Sequence, residues 1–489
     1  MSLTLYWKRQ NLKRFHCGPL HERVSYAGHE SMVAISRQFG LAILLSFCAV
    51  TALAAQEPVW KAGIAKTVIT PEQPVWMAGY SGRKMPATTA LHDLWVKALV
   101  LEDGRGHRGI LLTSDLAGLS RTIYENVLKE LHRRYGLDRS QVVFPTSHTH
   151  CGPLLRDFEV DVYPLNEERL AAVERYTSIL EAKMVATIGE AISQLTPVRL
   201  TKGQGMASFA VNRRNNVEGQ IPELLESGTA LNGPVDHSVP VLAVRSVASD
   251  QLLAIVFTYA CHNTTLSINR WCGDYAGFAQ IALERQHPAA VAMFTMGCGG
   301  DQNPLPRRKI ELCEKYGTLL AAAVETVLEN TMEPIKPWLG TSFAEIQLKF
   351  NQLDRREDLQ AYAGNRLLGL KQKLAVRYLQ LLDNDRQVAI GYPYPIHVWK
   401  LGHKQLWILL AGEAVVDYSL RFKHEIDPNV WVTAYVNDVM EYIPSARVLR
   451  EGNYEGTFSY NLPADRWADD IEDRIVDGVN RLVKEVNSN

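Results

Sequence analysis

The chain has 489 residues, 46% hydrophobic and 21% charged, with 52 Lys and Arg against 53 Asp and Glu and a formal net charge of -1. Disorder requires low hydrophobicity with high net charge, and 33 Gly and 22 Pro give no collagen-like or mucin-like bias, so the chain is globular with an ample core. A nucleic-acid-binding domain carries a basic footprint, and the balanced charge argues against that class.

Residues 1–31 are basic, His-bearing and without apolar periodicity, which reads as a leader upstream of a true start at Met32. Residues 39–55 (FGLAILLSFCAVTALAA) are uncharged, follow Arg37 and end in Ala52-Leu53-Ala54 ahead of a polar Gln-Glu-Pro. That order of charge, apolar run and small-residue cleavage site marks residues 32–55 as a signal peptide, and the run is short of the roughly 20 apolar residues of an anchor. A secreted or periplasmic protein is expected. Of seven cysteines, Cys17 and Cys48 fall in this segment and five remain, an odd number. Some are expected to pair, for example Cys261 with Cys272, or to stay as small buried apolar residues.

Apolar, β-rich runs follow at 97–103, 109–115, 141–148, 252–262, 291–298, 405–413 and 430–438. Their near-continuous hydrophobicity predicts strands buried on both faces. Helical periodicity appears at 120–135, where Ile123, Val127, Leu128 and Leu131 share a face, and at 166–194, 309–329, 353–383 and 465–487. The class is α/β, with layered mixed sheets and flanking helices, and residues 56–489 read as a single catalytic domain. Five runs lead straight into polar or glycine-bearing groups: SDLAG, SHTHCGP, CHNTT, GCGGDQNP and NDVMEY. Ligands in α/β folds bind at the carboxyl ends of strands, so these groups are expected to form one site.

Within Ser147-His148-Thr149-His150-Cys151-Gly152-Pro153, strand geometry points His148 and His150 to the same side, and neutral imidazole is a common metal ligand. A catalytic zinc takes three protein ligands and keeps a position open. His262 and Glu413, each ending an apolar run, are the further candidates; a hydrogen-bonded core histidine and a helix N-terminal glutamate are their structural alternatives. The GCGGDQNP segment lacks the Lys-Ser/Thr ending of a nucleotide loop, so no nucleotide is expected. Its glycines permit close approach to a substrate, with Asp301 and Asn303 as acceptor and amide, or it is a turn with Asp301 as a helix cap.

These segments together resemble the neutral (non-lysosomal) ceramidases. Met77-Ala78-Gly79-Tyr80 with Arg83 is similar to the family's opening glycine segment, and residues 147–153 are similar to its T-H-T-H-S-G-P motif. Asn212-Arg213, residues 259–264, Gly300-Asp301-Gln302-Asn303-Pro304, residues 410–413, and residues 437–442 with Tyr454-Glu455-Gly456 continue the resemblance in order. It implies a zinc ion on His148, His262, Glu413 and Tyr442, with His150 just outside the ligands near the metal-bound water. It also implies Arg213 and Tyr454 at the substrate amide, and Gly79, Asp301 and Asn303 in substrate binding.

Asn303 stands where the family has serine, which weakens the inference to ceramide more than the inference to hydrolysis. Cys151 replaces a second serine, and the chain leaves little room for the family's C-terminal β-sandwich. The expected function is zinc-dependent hydrolysis of an N-acyl amide, giving fatty acid and sphingoid base if the substrate is ceramide-like. The partner is a small N-acyl molecule or a lipid at a membrane surface, and Trp76, Trp271 and Trp399 are candidates to line an acyl groove. Another amide or ester, or a non-catalytic binding role, is the alternative.

Overall fold

The computed structural model describes residues 59–365, 369–384, 389–457 and 464–488. The leader and signal segments, with Cys17 and Cys48, lie outside the described residues. In chain order the strands are β1 (Trp60–Val68), β2 (Trp95–Glu102), β3 (Arg108–Ser114), β4 (Val142–Val143), β5 (Thr196–Met206), β6 (Ala210–Asn212), β7 (Ser238–Ser246), β8 (Leu252–Tyr259) and β9 (Val291–Met296). They continue with β10 (Gln302–Pro304), β11 (Glu333–Ile335), β12 (Leu339–Lys349), β13 (Gly391–Leu401), β14 (Gln405–Leu410), β15 (Glu413–Ala414), β16 (Trp431–Thr433) and β17 (Tyr442–Ile443).

The larger sheet has the order β4-β3-β2-β1-β5-β7-β8-β9, with β11 paired to β5. It is antiparallel except at its ends, where β3 runs parallel to β4 and β8 to β9. A second sheet, β12-β13-β14-β16, is parallel only between β14 and β16. Alternation along β2 explains why the strand runs are apolar throughout. Val96, Ala98 and Val100 enter the core beneath the helices, while Leu99 and Leu101 join Trp60, Trp399, Trp407 and Trp431 between the two sheets. The Glu167–Ser193 and Ile310–Glu329 helices cover the larger sheet, and the Ile471–Ser488 helix covers the second through Ile475, Val479 and Leu482. The α/β layering expected from the sequence is therefore observed as helix, sheet, sheet, helix.

Three expected elements differ. The 141–148 run is a continuous strand only at Val142–Val143 and goes on as isolated bridges at Pro145 and Thr146, because Pro145 has no N–H and His148 turns to φ 57. The 430–438 run stops at Thr433, ahead of Tyr435 at φ 58 and Asn437 at φ 65. The 353–383 segment forms two helices, Arg356–Gly364 and Leu370–Asp383, separated at Gly369, whose φ is 54. Cys151, Cys261, Cys272, Cys298 and Cys313 are all buried as free thiols, so the suggested Cys261–Cys272 pairing does not form. Among the described residues no helix is long and apolar enough to cross a membrane.

Candidate active site

The loops that leave β4, β8, β9, β14 and β16 meet at one point. His148 Nδ1 lies 2.6 Å from the Ala117 carbonyl, and His262 Nδ1 lies 2.7 Å from the Gly299 carbonyl. A carbonyl only accepts, so each Nδ1 carries a proton, and Nε2 is the nitrogen that each ring turns toward the centre. Glu413 Oε2 lies 3.3 Å from both of these Nε2 atoms. Burial pushes the His262 imidazole down to about 4, with Arg213 adding to the shift, so it is neutral at physiological pH. Burial alone would raise the Glu413 carboxyl, but His148 and His262 outweigh it and hold the group well below the usual carboxylate range. Three atoms that can each ligate a metal thus converge on one point, where a cation would take the place of any shared proton.

Backbone strain accompanies this convergence. His148 at φ 57 and Tyr435 at φ 58 occupy a region that bulky residues rarely adopt. The Tyr435 ring packs 4.4 Å from the His148 ring, and its hydroxyl donates to Glu413 Oε2 at 3.4 Å. Gly412, at φ 67, brings Glu413 beside Tyr442 in the parallel β15–β17 pair. A Cβ on Gly412 would fall 2.6 Å from Ile443 Cγ1, so the approach requires glycine.

The Tyr442 hydroxyl lies 3.5 Å from His262 Nε2 and accepts from Arg213 Nη2 at 3.1 Å. Burial, and then the charge of Glu413, raise this phenol well above its ordinary range. Arg213 also donates to Glu455 Oε1 at 2.7 Å and to Asn303 Oδ1 at 3.3 Å, and its guanidinium lies over the Tyr442 and Tyr454 rings. Burial alone would loosen its proton, but Tyr442 and Glu455 outweigh that, so the group stays charged. Arg213, Asn303, Tyr454 and Glu455 line a cleft of about 500 Å³.

His150 Nε2 lies 3.0 Å from His148 Nε2, and the nitrogens of His148, His150 and His262 all fall within 4.8 Å of one another. This group could hold a metal ion. The two histidines meet through the turn at His148, not by strand alternation as the H-x-H spacing implied. Unlike His148 and His262, His150 has no acceptor behind its ring, since Nδ1 is buried without a partner. Ligating histidines are normally fixed by such an acceptor, and His150 lacks one although its ring nitrogens lie within reach of the same ion. Burial, then the neighbouring His148 and His262, push it well below its ordinary range, so it is a neutral base.

Of the residues expected to bind substrate, Asp301 lies behind the site and Gly79 beside His150. Asp301 is fully buried; it accepts from Val416 N–H at 2.9 Å at the start of the Val416–Glu425 helix and from Asn212 Nδ2 at 3.0 Å. Its carboxylate is thus a helix-terminal acceptor behind the site, and Gly300 packs on the Glu413 carbonyl where close approach to a substrate was expected. Gly79, at φ 91, lies directly against the His150 ring. All three tryptophans are core residues; Trp76 also borders a groove of about 630 Å³ whose rim mixes Pro71, Pro74 and Ile179 with Glu72, Arg169 and Arg175.

The profile of the family described as neutral/alkaline non-lysosomal ceramidase, N-terminal, matches residues 60–323, over half of the chain. The chain belongs to this ceramidase family. The match includes His148, His150, Arg213, His262 and Asn303, while Glu413, Tyr442 and Tyr454 follow it. The fold is similar to that of a neutral ceramidase from Pseudomonas aeruginosa, with a TM-score of 0.66, 18% identity, and coverage of 87% of this chain and 75% of the other. It is also similar to a ceramidase complexed with C2, with a TM-score of 0.65, 17% identity, and coverage of 87% and 76%. No curated protein sequence matches the chain.

Sequence reasoning missed two residues of this ceramidase-family site. Tyr435 lies inside an apolar run that reads as strand, and nothing in the sequence marks its left-handed backbone. Glu159 is buried, accepts from Gly79 N–H at 3.2 Å, and is pushed up to about 7 by burial and then by Glu413. A lone glutamate in a loop carries no motif that would have identified it.

Proposed function

We propose that this ceramidase-family protein is an exported zinc-dependent amidohydrolase that splits an N-acyl sphingoid base into a fatty acid and the free amine. The observation that carries the reading is the convergence of His148 Nε2, His262 Nε2 and Glu413 Oε2 on one point, with each histidine's Nδ1 held by a backbone carbonyl. With Tyr442 these residues would hold the ion through two nitrogens and two oxygens, a donor set that suits zinc. Bound zinc supplies a Lewis acid and lowers the pKa of a coordinated water toward about 7.

The chain's own residues provide the rest. His150, neutral and beside the ligands, takes a proton from the attacking water and returns it to the leaving nitrogen as the C–N bond breaks. Arg213 is held by Glu455 and faces Tyr442 and Asn303, so its fixed positive charge stabilises the oxygen of the tetrahedral intermediate without reorganisation. Tyr454, half exposed at the cleft, contacts the substrate amide.

One observation favours a second substrate class. The cleft beside Arg213 is polar, with Arg214, Asn216, Glu218, Arg307 and Asn453 around it, and Asn303 stands at the family's serine position. A sugar or amino-acid N-acyl compound would suit such walls. The test is a hydrolysis panel over N-acyl sphingosines, N-acyl amino acids and N-acetyl sugars, with and without chelator. Chelator-sensitive cleavage of N-acyl sphingosine is expected; chelator-sensitive cleavage of the other two classes alone would replace the substrate and keep the chemistry.

A further inference from the structure

Apart from the contact of its Nε2 with His148 Nε2, the His150 ring is held by packing. Its Nδ1 has no partner, and its Nε2 meets only His148. Beneath the ring lies Gly79, so close that a Cβ there would be 2.4 Å from His150 Cγ, and at its edge lies the Tyr80 ring, with centroids 4.8 Å apart. Whatever fixes the turn at residues 79–80 therefore fixes the aim of His150.

The Gly79 N–H donates to Glu159 Oε2 at 3.2 Å. Glu159 is 7% exposed and has a left-handed backbone at φ 50, and among the described residues its carboxylate is otherwise bound only by the Tyr163 hydroxyl at 3.1 Å. Burying a carboxyl group and forcing a non-glycine residue into this conformation each cost free energy. The Tyr163 contact, four residues along the chain, gives no local reason for either cost, and strain of this kind persists where the surrounding structure uses it. We propose that Glu159 is a positioning residue of the site, holding Gly79 against His150 so that Nε2 keeps its aim, while Leu266 and Arg308 hold the neighbouring Tyr80. The proposal rests on His150 being the proton carrier. Glu159 hydrogen-bonds to none of the four residues assigned to the metal, so it acts on proton transfer and leaves metal binding alone.

The experiment compares Glu159→Ala, Glu159→Asp and Glu159→Gln in the zinc-loaded full chain. Loosening the turn moves the ring by a fraction of the 1 Å that costs about 100-fold, so Glu159→Ala and Glu159→Asp should lower kcat about tenfold, with KM within about twofold and zinc content unchanged. Glu159→Gln keeps an acceptor oxygen for Gly79 N–H and should restore kcat to within about threefold of wild type. Should Glu159→Ala fail to fold, Glu159→Asp, one methylene shorter, carries the same expectation.

Imidazole NMR gives a readout independent of any substrate. In Glu159→Ala or Glu159→Asp the His150 resonances should shift or broaden while those of His148 and His262 stay in place. Zinc loss, Glu159→Gln as damaging as Glu159→Ala, or unmoved His150 resonances would overturn the assignment. Displaced His150 resonances with unchanged hydrolysis would retain the structural link and instead remove His150 from the chemistry.

Discussion

Replacing Gly79 by alanine places a methyl group where the His150 imidazole now lies. The new Cβ would sit 2.4 Å from His150 Cγ and 2.6 Å from Nδ1, against an ordinary carbon contact of about 3.5–4.0 Å. The ring must therefore retreat by about 1 Å or more, or the turn must open. The backbone adds to the cost, because φ 91 suits glycine and penalises an L-residue by about 1–2 kcal/mol. A 1 Å misplacement of a reacting group lowers rate about 100-fold, equivalent to about 2.7 kcal/mol in the barrier. Steady-state kinetics with zinc analysis on the same samples should show kcat down about 100-fold, KM little changed and zinc retained. Wild-type kcat in a folded Gly79→Ala protein would refute the placement of His150 in proton transfer, and loss of zinc would instead make His150 a ligand.

Three further outcomes follow from the geometry. Lysine cannot reproduce the three contacts that Arg213 makes with Glu455, Asn303 and Tyr442, so Arg213→Lys should cut kcat by about 100-fold or more in steady-state assays. Glu159 titrates at about 7 against an ordinary 4.5, so the folded state holds a proton that the unfolded state releases. That stability is fully present below about pH 4.5 and is lost as pH rises through about 7. The denaturant-derived stability of wild type relative to Glu159→Gln should accordingly fall by about 3 kcal/mol between these values, and a constant difference would contradict the burial argument. Leu482 is fully buried beneath the Ile471–Ser488 helix, and Leu482→Ala should cost about 2–5 kcal/mol of stability without altering KM.

The layered fold was legible in the sequence because both faces of the larger sheet are covered, which leaves near-continuous apolar runs such as KALVLE in β2. The polar groups at strand ends were legible for the same reason, since a buried strand that stops at His262 or Glu413 exposes an abrupt change in chemistry. Local backbone was not. His148, Tyr435 and Asn437 turn to positive φ inside runs that read as strand, under tertiary constraints that no propensity encodes. Asp301 stayed open between two readings because a helix-terminal acceptor and a substrate ligand share the same side chain. Glu159 was silent because its importance comes entirely from Gly79, 80 residues away.

The central claim is that His148, His262, Glu413 and Tyr442 hold a zinc ion that drives amide hydrolysis. Its most direct test is to strip the purified mature chain with chelator and titrate zinc back while following cleavage of an N-acyl sphingosine. Activity should vanish on stripping and return in proportion to added zinc, saturating near one equivalent per chain, while His148→Ala and Glu413→Gln should neither hold that equivalent nor regain turnover. Full activity in the stripped protein, or stoichiometric zinc retained by His148→Ala, would contradict the account.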